Sequence, residues 1–106
     1  MNTLSDPASI NLAHSVEYAA NAIVSKTILK QTGGNITLFA FDKDEALSEH
    51  SSQFSALLQI LEGNVQVTIA ENLFNLTAGD AIILPANIPH AVKAIERFKM
   101  MLTMIK

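Results

Sequence analysis

From residue 23 onward, apolar residues recur at every second position in short runs: "IVSKTILK", "GGNITLFAFDKDE", "FSALLQILEG", "NVQVTIAE", "LFNLTAGD", "AIILPANIPHAVKAI" and "FKMMLTMIK". A period of two is that of strands. Gly, Asn, Asp and Pro punctuate the runs at spacings of roughly ten residues, the rhythm of a β-sandwich or small barrel. Gly33-Gly34, Glu62-Gly63-Asn64, Ala70-Glu71-Asn72 and Thr77-Ala78-Gly79-Asp80 are the expected tight turns. Only the first 25 residues read differently. A turn-like "SDPAS" precedes an amphipathic segment from Ser15 to Val24, which predicts an N-terminal arm or helical turn. No repeat or linker interrupts the rest, so residues 1–106 are expected to form a single all-β domain.

Alternation within a strand decides which residues share a face. In "VQVTI", Val65, Val67 and Ile69 oppose Gln66 and Thr68, which marks a clear interior face. In "FSALLQILEG" both parities are mostly apolar: Ala56, Leu58 and Ile60 on one side, Leu57, Gln59 and Leu61 on the other. Such a strand is covered on both faces. One face is expected to look into the barrel, and Leu57 and Leu61 to lie against a second copy of the chain in a two-fold homodimer.

Composition narrows the classes of function. The chain has 106 residues, 49% hydrophobic and 16% charged, suited to one compact core. No apolar run approaches the roughly 20 residues of a membrane-crossing helix, and Pro85 interrupts "AIILPA". The first residues lack the cationic start and apolar centre of a secretory signal, so a cytoplasmic protein is expected. A net charge of −3 with seven Lys and Arg offers no stripe for a phosphate backbone, which makes nucleic acid an unexpected partner. With no cysteine there is neither a disulfide nor a thiolate site, and a metal would need imidazole, carboxylate, amide or water.

Two histidines stand in comparable places, His50 in "SEHSSQFSALLQILEG" and His90 in "GDAIILPANIPHAVKA". Around them the chain resembles the cupin family, whose jelly-roll barrel carries two short motifs. The first ends His-x-His, three or four residues, Glu, six residues, Gly; here His50 holds the first His position and Gly63 the final Gly. The second is Gly, five residues, Pro-x-Gly, two residues, His, three residues, Asn; here Gly79, Pro85 and His90 are in register. The resemblance implies an RmlC-like jelly roll, a double-stranded β-helix, over residues 33–106. Ser52 replaces the second His, Ala56 the Glu, Asn87 the Gly and Ala94 the Asn, so two of the four usual metal ligands are missing.

The resemblance implies that His50 and His90 point into the barrel near its mouth. A small-molecule pocket is expected there, with Gln53, Ser52, Ala56, Leu58 and Met101 around the two rings and Ile60, Val67 and Ile82 as further wall. The alternative is a metal-dependent oxygenase or isomerase. In it a divalent ion, Zn, Ni, Fe or Mn, is held by His50 and His90 with water, and Gln53, Ser52, Glu49 and Ser48 are the polar residues nearest in sequence. A third reading is a purely structural role through the dimer surface. Tyr18 is expected to pack with its hydroxyl in water, His14 to be solvated, the methionines of "KMMLTMIK" to fill core, and "DKDE" (42–45) to be a solvated loop.

Overall fold

The computed structural model describes residues 7–106; the first two residues of the "SDPAS" turn lie outside them. Nine strands follow a 3-10 turn at Ala13–Ser15: β1 (Ile23–Gln31), β2 (Gly34–Phe41), β3 (Ala46–His50), β4 (Ser55–Glu62), β5 (Asn64–Ile69), β6 (Asn72–Thr77), β7 (Ala81–Leu84), β8 (His90–Ala94) and β9 (Phe98–Ile105). They form a five-stranded sheet, β1-β2-β9-β4-β7, and a four-stranded sheet, β3-β8-β5-β6. Every pairing is antiparallel, and β2 pairs β9, β3 pairs β8, β4 pairs β7 and β5 pairs β6. The chain is thus doubled on itself at the Ala70-Glu71 turn and rolled up, which is the jelly roll. Residues 33–106 contain β2 to β9, and β1, from Ile23, adds an edge strand to the larger sheet.

Two layers of apolar packing follow from the parity. The interior holds Phe41, Ala56, Leu58, Ile60, Val65, Val67, Leu84, Val92, Ala94, Phe98 and Met100, with the Phe41 and Phe98 rings stacked at 4.5 Å between centroids. On the outer face of the larger sheet, Val16 of the arm is buried with Leu38 and Ala40, and Leu12, Tyr18, Leu61 and Met101 pack around them. The arm covers Leu61, which was expected to face a second copy.

The arm is held by polar contacts where strands β4 and β9 meet. The Tyr18 hydroxyl donates to Glu62 Oε2 at 2.6 Å, and its ring lies between Arg97 and Lys99, 4.8 and 4.9 Å from its centroid. Burial first, then the hydrogen bond to Glu62, pushes the Tyr18 phenol above its ordinary range. Its hydroxyl is therefore bound to a carboxylate instead of standing in water. Asp42, in the segment read as solvated, accepts from the Asn21 backbone N–H at 2.7 Å and from Arg97 Nε at 3.0 Å. Asn21 and, to a smaller degree, Arg97 hold its carboxyl below the usual range.

Candidate functional site

His50 is the last residue of β3 and His90 is the first of β8; the two are direct cross-strand partners. The register explains how they meet. Ala46 pairs with Lys93 and Leu47 with Val92, after which an irregularity adds one residue to β3 before His50 meets His90. In a regular strand Glu49 would occupy that place. The bulge exchanges a carboxylate for an imidazole on the interior face.

The ring centroids are 4.4 Å apart and the planes cross at 68°. His90 is 7% exposed and His50 lies at the rim. Each ring is tied to the backbone two residues before it, His50 Nδ1 to the Ser48 carbonyl at 2.8 Å and His90 Nδ1 to the Ile88 carbonyl at 3.3 Å. Burial lowers the His90 pKa; the Ile88 carbonyl opposes that shift and the neighbouring His50 adds to it. His90 is therefore neutral at neutral pH.

The loop from Pro85 to Pro89 is shaped to deliver His90. Asn87 adopts φ 65°, the conformation for which the family pattern uses glycine and which asparagine tolerates better than other residues. Its N–H donates to the Ser52 carbonyl at 2.6 Å, linking the loop to the segment after β3. The Ser52 hydroxyl accepts from the Phe54 N–H at 3.1 Å, so its oxygen shapes that turn, and Gln53 is exposed.

Along the larger sheet, the inner row nearest this end of the barrel reads Asn35, Met104, Ala56, Leu84 in cross-strand register, and the next reads Thr37, Leu102, Leu58, Ile82. Ala56 and Leu58 therefore lie on the inner face as expected from parity. Met101 does not: it has the opposite parity and packs outside with Leu38 and Ala40, while Met100 is in the interior and Met104 shares its parity. On the smaller sheet Ile69 pairs with His90 and continues the row of the two rings. Asn35 and Thr37 were not singled out in the sequence, although the alternation in "GGNITLFAF" carries both once the inner parity is known.

The donor set decides what metal chemistry is open to this end. Four-coordinate sites and family sites alike draw on three or more protein ligands. Among the described residues no three His, Cys, Asp or Glu side chains come together. Ala56 occupies the carboxylate position with a methyl group, and Ser52 binds backbone. The residues present do not fit a resident ion.

At the opposite end of the barrel, an open cleft of about 600 Å³ is lined by Tyr18, Asp42, Lys43, Glu62, Gly63, Glu96 and Arg97. Asp42 pairs with Arg97 there and Glu62 with Tyr18 of the arm, so these contacts fasten the arm to the barrel.

Comparison with known proteins places the chain in a family. Residues 37–106 match the cupin domain, and the chain belongs to that family. Among solved structures, a conserved protein of unknown function from Streptococcus pyogenes is 31% identical, with a TM-score of 0.90 over 99% of this chain and 92% of that one. A cupin superfamily protein from Desulfitobacterium hafniense is 27% identical, with a TM-score of 0.90 over 98% and 95%. A cupin 2 conserved barrel domain protein from Leptotrichia buccalis is 38% identical with a TM-score of 0.88; the match covers 92% of this chain and 47% of that one. No curated protein matches the chain. No helix among the described residues is long and apolar enough to cross a membrane.

Proposed function

We propose that this cupin barrel binds a small organic molecule at the end of the barrel marked by His50 and His90. The observation that carries this reading is the cross-strand imidazole pair, polar and adjacent, on an inner face otherwise built from Ala56, Leu58, Ile69, Ile82 and Leu84. A few fixed polar groups on an apolar wall are the usual make-up of a small-molecule site. Truncation of the family's carboxylate position to Ala56 removes charge and gives the wall a methyl group, which favours this reading over a metal-dependent oxygenase or isomerase. Methyl NMR on chelator-treated protein tests it with a set of small aromatic fragments. Shifts are expected at Ala56, Ile69 and Leu84 and should vanish in His50→Leu and His90→Leu. Fragment shifts absent from the inner face would overturn the reading.

For assembly, we propose a homodimer through the outer face of the larger sheet. Leu29, Ile36, Thr103, Leu57 and Ile83 stand in one lateral row across all five strands. Leu29 and Leu57 are 37% exposed and Ile83 is 64% exposed, with Ile105, 63% exposed, beside them. The arm covers the Leu38 and Ala40 part of this face and leaves this row open. Its occupant is a second copy because the row is self-complementary. A two-fold axis along β9 lays Leu29 over Ile83 and Ile36 over Leu57, with Thr103 meeting itself.

A further inference from the structure

We propose that the ligand at the His50–His90 pair is a neutral molecule that donates hydrogen bonds, a phenol, catechol or related alcohol, and not a carboxylate or phosphate. The inference rests on the binding reading above and adds the chemical class. It follows from what the two rings have already used. A carbonyl oxygen can only accept, so the Ser48 and Ile88 carbonyls oblige His50 Nδ1 and His90 Nδ1 to carry their hydrogens. In the neutral ring Nε2 then holds a lone pair, directed away from the backbone that anchors Nδ1. Both imidazoles therefore offer acceptors, on rings whose centroids are only 4.4 Å apart.

Two adjacent acceptors repel an anion and leave an ether or hydrocarbon with nothing to exchange for the lost water. A hydroxyl donor satisfies them, and a pair of hydroxyls on neighbouring carbons satisfies both. A ligand that covers the two acceptors without supplying a donor strips them of water and leaves them unpaired, so a site of this kind discriminates against an analogue that lacks the donor.

The test uses the full chain, chelator-treated and dialysed, at neutral pH. Catechol, 1,2-dimethoxybenzene and benzoate serve as probes: two hydroxyls, the same shape without donors, and an anion. Long-range proton–nitrogen spectra report the tautomer of each histidine. Expected are the Nδ1–H form for His50 and His90, catechol binding with shifts at both Nε2 atoms, and at least tenfold weaker binding of the other two probes. His50→Leu and His90→Leu should each lose catechol binding by a similar factor. An Nε2–H tautomer at either ring overturns the proposal. So does benzoate or dimethoxybenzene binding as tightly as catechol, which would leave the small-molecule reading standing without its donor rule. Catechol binding that requires added zinc or manganese also overturns it. If no probe shifts any inner-face signal, the small-molecule reading falls with it.

Discussion

His90 shows how one residue's surroundings set its chemistry. Burial depresses its pKa in the folded chain, so between the folded value and the unfolded value of about 6.5 the unfolded state binds more protons. Stability therefore rises with pH through that window, is complete above it, and is lost as the solution is acidified toward the folded pKa. Urea midpoints measured across that range should fall on acidification in the native chain and fall less in His90→Asn; equal slopes would refute the assignment. Two backbone positions make opposite predictions. A Cβ on Gly63, at φ 85°, would collide with the Arg97 carbonyl and with Phe98, so Gly63→Ala should cost about 2–4 kcal/mol in a urea titration. Ala70, at φ 54° in the β5–β6 turn, is an L-residue where glycine fits better; Ala70→Gly should stabilise by up to about 1 kcal/mol. A loss of stability there would mean that the turn is not strained.

At the scale of elements, the alternation identified the faces of β4 and β5, because a regular period of two runs from Ser55 to Ile60 and through β5. It failed where a single residue shifts the period. The irregularity before His50 cannot be seen in "ALSEH", since nothing in that string says whether Glu49 or His50 follows Leu47 onto the inner face. β3 is absent from the runs read in the sequence because its largely exposed residues carry no apolar period. Met101 was misplaced because "KMMLTMIK" has methionine on both parities, and only the register against β2 and β4 separates Met101 from Met100 and Met104. Leu57 and Leu61 share a parity, yet the arm covers one and leaves the other open, a distinction that belongs to tertiary packing. The open row leads to a prediction at this scale. The native chain should run as a dimer in light scattering at micromolar concentration, and Ile83→Asp or Leu57→Asp should convert it to a folded monomer; a monomeric native chain would contradict the proposed face.

For the whole molecule, the two short motifs made the family legible, because Gly63, Gly79, Pro85 and His90 keep spacings that the jelly roll requires. The same motifs left the activity unread. They show which ligands are missing, whereas the chemistry that replaces them depends on hydrogen bonds from His50 and His90 to backbone carbonyls that only the folded chain reveals. The arm and its Tyr18–Glu62 contact occupy one end of the barrel and the imidazole pair the other, so fold support and the candidate site are separated along the barrel.

The central claim is that this pair serves an organic ligand without a resident ion. The most direct measurement is metal content by plasma mass spectrometry on untagged protein purified without chelator, alongside His50→Ala and His90→Ala. The account predicts well under one metal per chain, unchanged by either substitution. Near one metal per native chain, lost in both variants, would contradict it and make the metal-dependent enzyme the better description.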